Sequence, residues 1–475
     1  MILKNADQLR SELKAVLEVE GENVRILDES RFKDGLLEDL LNAAVFSGDN
    51  RTRQMARWLI RRAGAALGII PVSIHPLYEA MGRGETGGFT VPAINIRGLT
   101  YDTAKAVFRA AMRGEVGPFI FEIARSEIGY TEQRPSEYTT SIMAAAISTG
   151  YRGPLFLQGD HFQISAAKFS RDPDSEISSV KDIITEAIAA GFYNIDIDSS
   201  TIVDLGKPTI REQQKNNYEV AAELTAFIRG LEPAGVTVSV GGEIGEVGGK
   251  NSTVEDLRAF MDGFNESLAR KGKGLKGISK ISIQTGTSHG GVPLPDGTIA
   301  KVSIDFQALE TISAAARKEY GLAGAVQHGA STLPDEAFDR FPKTSTAEIH
   351  LATGFQNMIY DSPAFPQELR ACIYDYIRTD LKGEKKEKDT DEQFIYKTRK
   401  KGFGVFKQQM WELPEDCRGD IGKALEDKFQ FLFTKLNVLN TVGLVNKYIK
   451  LIDVPAGKFG TVAEMKQMEE YGEGE

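Results

Sequence analysis

From about residue 85 to about residue 361 the chain alternates between two patterns. Short apolar, β-branched runs are followed by longer segments with apolar residues three and four apart. The runs are FTVPAIN (89–95), PFIFEIA (118–124), PLFLQGD (154–160), YNIDID (193–198), VTVSVGGEI (236–244), ISKISIQTG (278–286), GAVQHGA (324–330) and AEIHLAT (347–353). Between them lie segments such as YDTAKAVFRAAMR, SVKDIITEAIAAG and VEDLRAFMDGFNESLAR, which have helical spacing. Eight strands, each followed by a helix, predict a closed parallel α/β structure, the (β/α)8 or TIM barrel. The rival is a doubly wound open sheet. It usually places a glycine-rich turn after an early strand and an acidic residue about 20 positions later. No such fingerprint follows FTVPAIN.

The 475 residues exceed what one barrel needs. The surplus divides into a helical N-terminal extension (1–84), the barrel (85–361) and a helical C-terminal extension (362–475). Residues 1–70 read as helical through LRSELKAVLE, GLLEDLLNAAV and RQMARWLIRRAGAAL. KGEKKEKDTDEQ (382–393) reads as a solvated loop. From Ile421 to Ile452 a helical stripe carries Leu425, Phe429, Leu432, Leu436, Leu439, Val442 and Val445. It is expected either to pack on the barrel or to form a homo-oligomer interface.

A net charge of −10 argues against nucleic acid as the main partner. No apolar run is long enough to span a membrane. The start, MILKNADQLRSELK, lacks the apolar stretch of a secretion signal. Cys372 and Cys417 flank no metal-like pattern, so a reduced, cytoplasmic setting is expected.

The chain has five histidines. His161, His289, His328 and His350 fall at or near the C-terminal ends of the third, sixth, seventh and eighth predicted strands. That rim is where barrel enzymes place their chemistry. His75 precedes the barrel and is expected to be structural. The contexts QGDH, GTSHGG and QHGAS put glycine beside three of the rim histidines, where backbone must turn or approach a ligand. His161, His289 and His328 are therefore predicted to hold a divalent ion. Zinc fits first, although cobalt, manganese and iron also suit histidine. Glu243, at the end of the fifth strand, is the candidate carboxylate; a barrel-mouth ion pair is its plainer alternative.

Asp160 precedes His161, and neighbours on a regular strand face opposite ways. Both serve one site only if the strand breaks at the rim, which Gly159 permits. Asp160 is then a candidate general acid/base. Asp196 and Asp198 share a face of the fourth strand, and Asp198 lies nearer the rim. Gly290–Gly291, Gly329–Ala330–Ser331 and Thr353–Gly354 follow the last three strands. Small residues and hydroxyls there suit a phosphate.

With these motifs in place, the region from about Phe89 to Asp361 resembles the class II, metal-dependent fructose/tagatose bisphosphate aldolases. The resemblance rests on PAIN, GDH, AGFYNIDIDSS, EIGEVGG, GTSHG and QHGAS, in that order. It implies reversible aldol cleavage of a phosphorylated ketose through an ene-diolate stabilised by the metal. It gives His161, His289 and His328 the metal, Glu243 the supporting carboxylate, and Asp160 the proton of the sugar hydroxyl. Asp198, Gly290, Gly329, Ser331 and Thr353 become substrate- or phosphate-binding residues.

Five positions depart from the family pattern. Lys250 and Asn251 stand where an acidic pair is usual, and Glu246 in the same loop is the candidate substitute. His350 replaces an asparagine, and Ala352 an aspartate. Ala124 replaces a serine, with Arg125 beside it as a candidate anion ligand. These departures keep a second expectation open: a non-catalytic, aldolase-like subunit that binds or stabilises a partner. A Schiff-base aldolase needs a lysine near a strand's C-terminal end, and Lys280 lies toward the beginning of the sixth strand.

Overall fold

The computed structural model describes residues 15–21, 23–245, 250–286 and 304–455. Its centre is a closed ring of eight parallel strands. They are β1 (Val91–Asn95), β2 (Ile120–Ala124), β3 (Gly153–Gln163), β4 (Asn194–Asp198), β5 (Ser239–Gly245), β6 (Lys280–Ile283), β7 (Ala325–Gln327) and β8 (Glu348–Leu351). Each pairs with its neighbours, and β8 closes on β1 through Glu348↔Val91 to Leu351↔Ile94. Every predicted strand falls on one of these, so the (β/α)8 architecture read from the alternation is the one found.

The helices between strands begin and end where local chemistry dictates. Thr253 caps Val254–Lys271 by accepting from the Asp256 backbone, while Asp256 returns a bond to Thr253. Asp172 caps Pro173–Ala189 in the same sense. Pro135–Thr149 stops at Gly150, whose φ of 80° suits a residue without a side chain.

The segment before the barrel differs from the all-helical expectation in two places. Leu17–Glu20 and Asn23–Ile26 form an antiparallel hairpin, with Val19 opposite Val24 and an ion pair between Glu18 and Arg25. Gly21 turns the chain at a φ of 62°, so a tight turn overrides the helical spacing of KAVLE. Helices Leu37–Phe46 and Asn50–Ala66 follow as expected. Then Ile69–Val72, not foreseen as a strand, pairs with the first residues of β3. It helps close the barrel floor. The Asn194 side chain donates to the carbonyls of Val72 and Leu157 and accepts from the amide of Ile74. His75 and Tyr78 enter from helix His75–Gly82 on this same side. His75 is buried, and burial pulls its pKa down to about 4, which keeps it neutral.

In the C-terminal extension, helix Glu415–Lys435 packs Leu425, Phe429 and Leu432 inward, and Glu426 pairs with Arg109 and Arg113 of barrel helix Thr100–Arg113. The predicted continuous helix to Ile452 is interrupted. Asn437 and Asn440 both take left-handed backbone, and a second helix, Val442–Tyr448, starts after them. Val442 is left exposed, while Leu436 and Val445 are buried. The stripe therefore packs within the subunit. No helix among the described residues is long and apolar enough to cross a membrane.

Candidate metal centre

The site is built on a break in β3. Its pairing with β4 shifts register between Gly159 and Phe162. A side chain at 159 would meet the Phe162 ring at 2.5 Å, so glycine lets that ring fold beneath the strand. His161 takes a φ of 39°. The bulge turns Asp160 and His161 toward one place, as the sequence required of them.

Three rim histidines line up there. The ring centroids of His161 and His328 are 4.1 Å apart, and those of His328 and His350 are also 4.1 Å apart. Asp160 Oδ1 faces all three, at 3.1 Å from His350 Nδ1, 3.6 Å from His328 Nε2 and 3.8 Å from His161 Nε2. On its other edge, His161 Nδ1 lies 3.2 Å from both Asp198 Oδ2 and Glu243 Oε2. Two donor groups thus meet at His161: Asp160, His161 and His328 on the Nε2 edge, and His161, Asp198 and Glu243 on the Nδ1 edge. His289, Gly290 and Glu246 lie outside the described residues.

Electrostatics separate the roles. Burial and the charges of His350 and His161 push the His328 pKa down and keep the ring neutral. Burial opposes charge on His161, but Asp160 and Glu243 outweigh it and raise its pKa. Burial and the Asp198 charge lift Glu243 to about 7. Asp198 goes the other way: burial raises it, yet hydrogen bonds from His161, Ser200 and Gln163 hold it at about 2. An ionised Asp198 accepts from His161 Nδ1–H and orients the ring, as carboxylates do behind metal-bound histidines in general. The donor set of nitrogen and carboxylate oxygen suits a divalent ion such as zinc.

Beneath the histidines lies a second layer, of which Glu122, Gln158, Glu348 and Tyr78 were not singled out in the sequence. His350 Nδ1 is 3.0 Å from Glu122 Oε2, and its Nε2 is 2.7 Å from Glu348 Oε1. Lys280 Nζ pairs with Asp196 Oδ2 at 2.8 Å and with Glu348, and donates to Gln158 Oε1 at 2.8 Å. Gln158 donates to Glu122 and Glu348, and Tyr78 hydroxyl donates to Glu348 from the floor. Burial and the Asp160 charge raise Glu122 to about 8, so it holds a proton at neutral pH. Burial disfavours charge on Lys280, but Asp196 and Glu348 more than compensate, and it stays an ammonium. A protonated, paired lysine is no Schiff-base nucleophile. Lys280→Met would remove the ammonium paired with both Asp196 and Glu348, and about 3–5 kcal/mol of stability should be lost. Urea unfolding measures this; a loss below about 1 kcal/mol would mean the network is dispensable.

The loops after β7 and β8 meet beside this centre. Gly329, at a φ of 68°, starts the turn that carries Ser331. Ser331 Oγ accepts from the Ala352 amide at 2.6 Å, and a side chain at Gly354 would come within 2.8 Å of the Ser331 carbonyl. Thr353 opens helix Thr353–Tyr360, and its hydroxyl lies 3.4 Å from Arg97 Nη1. Gly329, Ser331 and Thr353 are therefore close together. Arg125 is not with them. It donates to Glu176, Ser179 and the Gln163 carbonyl. Lys250 is exposed, and Asn251 donates to Asp305 at 3.1 Å.

A family model described as fructose-bisphosphate aldolase class-II matches residues 76–411. Among solved structures, a protein described as a probable tagatose 6 phosphate kinase from Sinorhizobium meliloti 1021 is 16% identical, with a TM-score of 0.51 over 80% of this chain and 98% of that one. A fructose-bisphosphate aldolase from Campylobacter jejuni is 17% identical (TM-score 0.47, 78% and 97% covered). The YdjI aldolase from Escherichia coli K12 is 12% identical (TM-score 0.43, 77% and 98% covered). The first of these supports the fold. The extent of the family match decides membership: this chain belongs to the class II fructose-bisphosphate aldolase family.

Proposed function

We propose that this family member is a divalent-metal-dependent lyase that reversibly cleaves a phosphorylated ketose, with zinc as its ion. The observation that carries the reading is the meeting of His161, His328 and Asp160 on one edge and Asp198 and Glu243 on the other. His161 Nε2 and His328 Nε2 would hold the ion, with His289 as the expected third histidine. Glu243 and Asp198 face His161 Nδ1 and orient the ring. A divalent ion there supplies Lewis-acid polarisation of the ketose carbonyl and takes up negative charge left by carbon–carbon cleavage.

The chain's own groups do the rest. Asp160, kept ionised by His161 and His350 against the effect of burial, accepts the proton of the hydroxyl on the cleaved side. His350 holds Asp160 in place and is backed by Glu122 and Glu348. Gly329, Ser331 and Thr353 receive the phosphate, joined by Gly290. The second proton transfer, at carbon, falls to Glu246, which follows β5 in the sequence. The boundaries near residues 84 and 361 divide this machinery from the two extensions, and free Cys372 and Cys417 suit a reducing, cytoplasmic compartment.

Metal analysis coupled to a retro-aldol screen over fructose, tagatose and related ketose phosphates tests the reading. The protein should carry about one ion per chain, lose turnover with chelator and recover it with zinc. Borohydride should trap no adduct. Metal well below one ion per chain would overturn it. Asn251, tied to Asp305 where the family has an acid, favours one second reading, a non-catalytic subunit. Full metal loading without turnover of any ketose phosphate would select it.

A further inference from the structure

Helix Lys215–Leu231 lies between β4 and β5 in the chain and packs on both. The pairing of these two strands runs from Asn194↔Ser239 to Asp196↔Gly241. Asp198 and Glu243 each stand two residues past the last paired position of their strand. On the other side of β5 the register with β6 shifts between Glu243 and Gly245. Both acids nonetheless reach one atom: Asp198 Oδ2 and Glu243 Oε2 are each 3.2 Å from His161 Nδ1. Two carboxylates at one nitrogen repel each other, so the strand ends need a hold that their own ladder does not supply.

Asn217, near the start of that helix and fully buried, supplies it. Its Nδ2 donates to the Glu243 carbonyl at 2.9 Å and to Gln214 Oε1 at 2.9 Å. Its Oδ1 accepts from Ser199 Oγ at 2.7 Å, and Ser199 directly follows Asp198. Both amide hydrogens and the amide oxygen are therefore used, and they bridge the ends of two strands. Ser200 completes the hold. Its amide and hydroxyl donate to Asp198 Oδ1 at 3.1 and 2.7 Å, and a side chain at Gly245 would overlap its Oγ. Asn217 is not itself among the donor groups around His161. It acts on them through the backbone of Glu243 and the neighbour of Asp198.

We propose that Asn217 is a positioning residue of the metal centre: its amide clips the end of β4 to the end of β5 and so sets Asp198 and Glu243 against His161 Nδ1. This role rests on the reading of His161 as a metal ligand.

Zinc titration of the chelator-treated, full-length protein against a competing chromophoric chelator tests it without any assay of turnover. Asn217→Ala should weaken zinc binding about tenfold, as loss of support behind a ligating histidine does. Ser199→Ala, which cuts the clip on the β4 side only, should weaken it by a smaller but measurable factor. Asn194→Ala is the control, because that asparagine is as buried and as fully bonded but sits at the barrel floor. It should lower the melting temperature and leave zinc affinity unchanged. With cobalt in place of zinc, the visible absorption of the bound ion should shift in Asn217→Ala and not in Asn194→Ala. If Asn217→Ala does not fold, Ser199→Ala decides, and native-like zinc binding by it would overturn the role. Native protein that binds zinc while Asn217→Ala binds it as tightly, or an equal weakening by Asn194→Ala, would overturn the role alone. Native protein that binds no zinc would overturn it together with the metal reading.

Discussion

His161→Ala should release the bound ion and lower retro-aldol turnover by about a thousandfold or more. The expectation follows from where the ring sits. It is the one side chain shared by both donor groups, and its neighbours were arranged around its presence. Asp198 is held ionised at about 2 largely because His161 donates to it, and Glu243 meets the same nitrogen. Removing the ring takes away one ligand and leaves Asp198 and Glu243 facing each other. Lewis-acid stabilisation is worth several kcal/mol, and each 1.4 kcal/mol is about tenfold in rate. Asp198→Asn should act on the same ion more mildly. It keeps an acceptor for His161 Nδ1–H but removes the charge, so metal affinity should fall about 10- to 100-fold. Metal content by mass spectrometry, alongside melting temperature, separates the two variants. If His161→Ala keeps a full complement of metal, the ion is not held at this edge of the barrel.

The eight strands were legible because every one is a short apolar run, and a closed barrel leaves few other places for eight of them. The bulge was legible too, since Asp160 and His161 could serve one site only if β3 broke beside Gly159. What stayed hidden was the layer beneath. Glu122 in FIFEIA and Glu348 in AEIHLA are single acids in apolar strands, and nothing local says that they meet Lys280 from β6. Their only signal was the cost of a lone buried charge, which implies a partner without naming it. Asp196 had been set below Asp198 for lying farther from the rim, and that depth is what pairs it with Lys280. Arg125 shows the reverse case. Its position beside Ala124 suggested an anion ligand, but Glu176, arriving from a distant helix, occupies its guanidinium. Long-range pairing of this kind is set by packing, whereas turns and strand breaks are set by the residues themselves. The helix break at Asn437 and Asn440 is an intermediate case, since asparagine tolerates left-handed backbone but does not demand it.

Asp160→Asn should keep the metal and lose the chemistry. The amide has the size of the carboxylate, and its oxygen can still accept one hydrogen bond from His350. What it cannot do is take a proton. A positioned acid or base contributes roughly 10²–10⁴ in rate, so kcat should fall by that factor while metal content and KM change little. The split matters because Asp160 Oδ1 also stands 3.6 Å from His328 Nε2 and 3.8 Å from His161 Nε2, close enough to be read as a fourth ligand. A ligand and a base fail differently. If Asp160 were mainly a ligand, the asparagine variant would lose metal, and excess zinc would restore turnover. If it is the base, zinc restores nothing and the pH dependence of the residual rate changes shape. Retention of more than a tenth of native turnover with metal in place would remove Asp160 from the mechanism.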